Sequence, residues 1–196
     1  MRVKQCRFIL NTLGQTLEKN NMKVQPKIKS ELLINGALGD ANPYTAEITL
    51  NKILNCKALK FLTRKFIKHE AKHIEQFQIM ARYFAGISEN INKGLEQFKQ
   101  LLLEKFPECE YEKFNEKFYK KTIKIDGVID KNHPLFEKAK DYVKSFKEYP
   151  DMSILDDIEV WYNKGFKAML KNRRAKMKKY KNNIFESEAR QASKQK

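Results

Sequence analysis

Apolar positions recur with a helical period along most of the chain and alternate like a strand in only one short stretch. At about 100° per residue, Leu59, Leu62, Phe66, His73, Phe77, Met80 and Phe84 fall within an arc of about 60°. Lys60, Arg64, Lys65, Lys68, Lys72, Glu75 and Arg82 fall opposite. This predicts an amphipathic helix from about residue 57 to residue 86, with Gly86 as its stop. Upstream, Leu32-Leu33-Ile34 and Ala46-Glu47-Ile48-Thr49-Leu50 read as two short strands around the turn-rich NGALGDANPY, giving the one β element expected. Phe8, Leu10, Leu13 and Leu17 suggest a short helix, followed by a basic linker near Pro26.

Downstream, residues 88–121 predict helical segments broken at Pro107, and a looped stretch follows to His133-Pro134. The next helix runs to about Glu148 and stops before Pro150. Ser153 with Asp156 forms a capping arrangement for a long helix reaching about Tyr180. A last short helix spans Phe185 to Ala192, ahead of a frayed basic tail. Phe98, Leu101, Leu102, Phe106, Phe114, Phe118 and Tyr119 form an apolar stripe suited to a core, with a docking surface as the alternative. No internal repeat is present.

Composition narrows the class. The 196 residues carry 41% hydrophobic residues, including 13 Phe and 8 Tyr, which is enough for a packed core. Only 7 Gly and 5 Pro argue against a many-turned all-β chain. No apolar run approaches the roughly 20 residues that span a bilayer. Cys6, Cys56 and Cys109 are odd in number and far apart, which fits a reducing compartment better than a disulfide framework. The apolar stretch Phe8-Ile9-Leu10 is too short for the core of a signal peptide. The expectation is a cytoplasmic protein, or a component of a phage particle.

The formal net charge is +16. Nine of the Lys and Arg fall between Lys164 and Lys181 with no acid among them, so a polyanion contact is one reading and a solvated helix face the other. Tyr162, Phe166, Met169 and Leu170 at helical spacing read as core, and Trp161 as core or an interface anchor.

The chemistry lies in His69-Glu70-Ala71-Lys72-His73, an HExxH motif within the best-defined helix. Positions i and i+4 stack on one helical face, so two imidazoles can grip one metal ion, and the Glu at i+1 can act on a water beside it. His73 is inside the apolar arc, and His69 and Glu70 flank it within about 30° of its edges. A site with three protein ligands needs one more. His133 is the third and last histidine, and Glu186 and Glu188 lie in ESEAR near the C-terminal end of the sequence.

Taken together, NPYTAEITLN (Asn42–Asn51), HExxHxxQ (His69–Gln76) and YKNNIFESEAR (Tyr180–Arg190) resemble the gluzincin class of zinc metallopeptidases. The particular flavour of the resemblance is that of small bacterial and phage metallopeptidase domains. The resemblance covers about residues 31–86 and 180–192. It implies zinc held by His69, His73 and Glu186, with Glu188 competing for the third place, and Glu70 as general base. It further implies a strand, Glu47–Asn51, acting as the edge that holds an extended peptide or protein substrate. Tyr180, His133 and Arg190 are candidates for contacts to the substrate or the transition state.

The fold class expected is α+β and mainly helical. A zincin-like core would pack a short hairpin or sheet on the HExxH helix within a single domain spanning 1–196. Its core would be residues 30–86 and 150–192, with a helical insertion at about 88–149. Three departures from the class stand out: charge at Lys72 and Glu75, the long separation of His73 from Glu186, and no obvious residue to stabilise an oxyanion. Two alternatives accompany the metallopeptidase reading. One is a zincin-fold assembly protein with protein partners, such as a virion component. The other is a basic helical nucleic-acid-binding protein.

Overall fold

A computed structural model describes residues 23–31, 39–52, 60–150 and 154–194. Three short strands, seven α-helices and a 3-10 helix (Pro107–Tyr111) make up the regular structure there, an α+β arrangement dominated by helix. The strands are β1 (Lys27–Glu31), β2 (Gly39–Asn42) and β3 (Glu47–Asn51). Their order is β1-β3-β2, with β1 parallel and β2 antiparallel to β3. Ile48 and Leu50 of β3 point into the core, and Lys27 and Lys29 on β1 both pair with Glu47, tying the parallel strands together.

The sheet differs from the sequence expectation. The expected strand Leu32–Ile34 lies outside the described residues. A strand forms earlier, in what reads as a basic linker, and another forms inside NGALGDANPY itself. The actual turn is shorter. Asn42 Oδ1 accepts from the backbone N–H groups of Tyr44 and Thr45, and Ala46 takes a positive φ of 56°. The short helix expected over Phe8–Leu17, Cys6 and Cys56 lie outside the described residues. Cys109 is a buried free thiol.

Helix α1 (Lys60–Ile87) runs through the centre of the molecule. The helices α2 (Ile91–Lys105), α3 (Glu116–Asp126), α4 (Phe136–Lys147) and α7 (Ile184–Lys194) pack around it. Its burial is therefore wider than a one-sided stripe. Arg82, expected on the solvated face, is buried, and its guanidinium donates to the carbonyls of Asp126 at 2.5 Å and Gly127 at 2.7 Å. Those carbonyls end α3, where a cation satisfies otherwise unpaired acceptors.

Gly86 does not stop α1 by a left-handed turn. A methyl group there would lie 2.3 Å from the Ile129 carbonyl oxygen, so the residue serves close packing inside the last turn. Gly94 does the same where α2 meets Phe84 and Ala85. Asn90 and Asn115 cap α2 and α3 through their side-chain oxygens. Asn115 also donates to Thr45 O, binding α3 to the β2–β3 turn.

The stripe from Phe98 to Tyr119 is core: Phe98, Leu101, Leu102, Phe118 and Tyr119 are buried, and Phe106 and Phe114 pack against them. The long helix expected to reach Tyr180 is two, α5 (Ile154–Lys164) and α6 (Phe166–Asn182), parted at Gly165 with φ of 83°. Ser153, its expected cap, lies outside the described residues. Trp161, Tyr162, Phe166 and Leu170 are not core; they are 55%, 89%, 58% and 37% exposed. No helix among the described residues is long and apolar enough to cross a membrane.

Candidate metal centre

Four side chains converge where α7 lies along α1. His69 and His73 come from α1 one turn apart, and Glu186 comes from the first turn of α7, which Asn183 starts by accepting from Phe185 N. His73 Nε2 is 3.2 Å from His69 Nε2 and 3.4 Å from Glu186 Oε1, and His69 Nε2 is 3.6 Å from Glu186 Oε2. Among the described residues this is the one cluster of His, Cys, Asp and Glu spaced to share an ion. Ligand atoms about 2.0–2.1 Å from a tetrahedral zinc stand about 3.3 Å apart, so the triangle has the dimensions of one face of such a site.

The donor chemistry fits as well. Glu186 Oε2 is buried with no hydrogen-bond partner, an unmet acceptor beside His69. Gln76 Nε2 donates to the Phe185 carbonyl, which accepts only, and this orients the Gln76 amide. Its Oε1 then faces His73 Nδ1 at 3.0 Å and accepts that proton, leaving Nε2 directed at Glu186 and His69. His73 is thus held through Gln76 to the first turn of α7.

The electrostatics follow from burial and neighbours. Burial, aided by the neighbouring His73, pulls His69 down to about 4, so it is neutral near pH 7. Burial also pulls down His73, but its hydrogen bond to Glu186 and the charge of Glu70 outweigh it and raise the imidazole pKa. Burial works against ionisation of Glu186, yet hydrogen bonds from His73, Tyr149 and Tyr180 hold its carboxyl at about 2. Glu70 is buried, which pushes it up to about 7, with Asp40 and Glu186 adding to the shift.

Glu70 lies against the edge strand. A methyl on Gly39 would lie 3.3 Å from Glu70 Cγ, so β2 closes directly over the carboxylate. A cavity of about 240 Å³ opens on the cluster. Gly39, Asp40 and Ala41 line one side, and Phe106, Phe146, Tyr149 and Tyr180 line another. The stretch 88–149, which the sequence suggests is an insertion, thus supplies part of the wall. Phe185 stacks on His73 at 6.1 Å between ring centroids and also packs on Phe77, Tyr142 and Phe146, fixing α7 under the site.

The sequence candidates divide clearly. His69, Glu70, His73 and Glu186 come together. Tyr180 lines the same cavity, and Arg190 Nη2 lies 3.8 Å from Glu186 Oε2 with its guanidinium 5.4 Å over the Tyr180 ring. Glu188 does not join the cluster. It accepts from Tyr142 Oη and pairs with Lys138 at 3.1 Å and Lys72 at 3.5 Å. This also accounts for the charge at Lys72 and Glu75, which pair with each other at 2.9 Å.

His133 is a correction. It sits beside Arg82 at the start of α4, where Nδ1 accepts from Leu135 N, and does not line the cavity. Glu47–Asn51 is a second correction, since β3 is the central strand, with β1 and β2 at the two edges and β2 the one beside Glu70.

Tyr149 was not legible in the sequence. Its hydroxyl donates to Glu186 Oε1 at 2.7 Å from just beyond α4, and no spacing rule links it to a motif 37 residues away. Asp40 was hidden inside an apparent turn. No protein-family model, curated protein or solved structure matches the chain.

Proposed function

We propose that this protein is a zinc-dependent metallopeptidase, with His69, His73 and Glu186 as metal ligands and Glu70 as general base. The observation that carries the reading is the 3.2–3.6 Å triangle of His69 Nε2, His73 Nε2 and the Glu186 carboxylate, beside a buried carboxylate at the open cavity. Bound there, zinc would polarise a carbonyl and lower the pKa of a water towards about 7.

The remaining roles belong to the chain. Glu70 takes a proton from the attacking water and delivers it to the leaving amine. Tyr149 and Tyr180, both held protonated by burial, keep Glu186 aimed at the two imidazoles and place hydroxyl donors on the cavity wall. The outer edge of β2, in place of Glu47–Asn51, offers backbone groups to an extended peptide above Glu70.

Elemental analysis and a peptide-hydrolysis assay test the reading together. The expected result is about one zinc per chain in the wild type, lost in His69→Ala and Glu186→Ala. Hydrolysis should fall by at least about a hundredfold in Glu70→Gln while zinc is retained. Zinc without Glu70-dependent hydrolysis overturns the enzyme and leaves a metal-stabilised assembly protein. No zinc in metal-replete wild type overturns the site.

A further inference from the structure

The hairpin of α5 and α6 stands apart from the rest of the molecule in its chemistry. α6 has no buried residue over its 17 positions, although Phe166, Met169, Leu170 and Met177 lie along it. Apart from the exposed Lys179, its cations fall into two directions. Arg173 and Lys176 turn inward to the buried Asp157 of α5, at 2.5 and 4.0 Å. Lys167, Lys171, Arg174, Lys178 and Lys181 are all exposed, and none meets an acid among the described residues.

These five follow the spacing i, i+4, i+7, i+11, i+14, so they fall on one stripe about 80° wide and about 21 Å long. Like charges at that spacing repel and weaken a helix. The exposed rings of Trp161, Tyr162 and Phe166 flank Gly165 at the hairpin tip, close in sequence to Lys164 and Lys167. A straight cationic stripe ending in uncovered aromatic rings is the pattern that tracks a phosphate chain and stacks its bases.

Charge and geometry select among partners. A second copy of the chain would set one +16 molecule against another, and the stripe against itself. An anionic bilayer suits the tip alone. Beyond Leu170 every exposed residue of α6 except Ala175 is Lys, Arg or Asn, so nothing apolar anchors that half to lipid. With the tip inserted, Arg174 to Lys181 would stand about 12–22 Å away, beyond the screening length of about 8–10 Å. A single strand stacked at about 3.4 Å per nucleotide matches the whole stripe with about six phosphates.

We propose that the α5–α6 hairpin is a binding surface for single-stranded nucleic acid, with Lys167, Lys171, Arg174, Lys178 and Lys181 on the phosphates and Trp161, Tyr162 and Phe166 on the bases. It is independent of the metal reading.

Trp161 is the one tryptophan in the chain, so its fluorescence reports on the tip directly. The test titrates full-length protein with a fluorescein-labelled mixed-sequence 20-mer, reading both anisotropy and Trp161 emission across salt concentrations. Binding should quench Trp161. K167Q/K171Q/R174Q/K178Q should weaken binding at least about tenfold and reduce the slope of log K on log salt by about three. K167R/K171R/K178R should retain it, and Trp161→Ala should weaken the single strand about tenfold while sparing the duplex of the same sequence. Equal binding by the charge-removed variant overturns the proposal. So does failure to bind at low salt, or a blue-shifted Trp161 on phosphatidylserine vesicles with no response to the oligonucleotide.

Discussion

At neutral pH Glu70 carries a cost that the proposed metal ligands do not. Its carboxyl is buried in a wall shared with Asp40 and Glu186, which raises its folded pKa to about 7 against an ordinary value of 4.5. A raised carboxyl pKa means that the fold retains a proton the unfolded chain gives up. The metal-free protein therefore loses stability as pH rises from about 4.5 to about 7, and carries the full penalty above that. Glu70→Gln removes the charge and keeps the shape. It should stabilise the metal-free protein at pH 8 by up to about 3 kcal/mol, with the gain vanishing below about pH 4.5. Urea melts of both proteins at pH 8 and pH 4.5 check this, and a gain independent of pH would show that the carboxylate is not the source. His69, Glu70 and His73 were legible in the sequence because one helical turn fixes their relation. Tyr149 was not, because it meets Glu186 only through the packing of α4 against α7.

At the scale of elements, two glycines decide how closely α1 is approached. Replacing Gly86 by Ala ordinarily favours a helix interior by about 1 kcal/mol. Here the added methyl would sit 2.3 Å from Ile129 O and 2.9 Å from Asp130 N, which are backbone atoms that cannot rotate away. The clash outweighs the propensity, and Gly86→Ala should destabilise by about 2–4 kcal/mol in chemical denaturation. A stabilising Gly86→Ala would mean that the residue is an ordinary helix end. The helices were legible because their apolar period is strong, whereas the caps Asn90 and Asn115 emerge only in the structure. The strands were less so. β2 is GDAN, a sequence with turn propensity, and it is extended only because it pairs with β3 and lies over Glu70. The break at Gly165 was legible only in hindsight. A lone glycine in a helical pattern is tolerated as often as it ends one, and the positive φ is a tertiary outcome.

At the scale of the whole molecule, the proposed metal joins parts of the chain far apart in sequence. His73 and Glu186 are separated by 113 positions (186 − 73), and α2, α3, α4, α5 and α6 all lie between them. In the metal-free state the join rests on the His73–Glu186 pair, the Gln76–Phe185 hydrogen bond and the rings around Phe185. A bound ion adds to those contacts only in the folded state, because the unfolded chain does not hold the three ligands together. At a free concentration about a thousandfold above its Kd, such an ion stabilises by about 4 kcal/mol. For a chain of this size, that corresponds to a fall in Tm of about 8–16 °C on removal with a strong chelator. The same treatment should leave the Tm of Glu186→Ala unchanged, since that variant has no site to empty. A chelator shift of equal size in both proteins would place the ion elsewhere in the molecule. A shift confined to the wild type would establish that the cluster joining α1 to α7 also holds the fold closed.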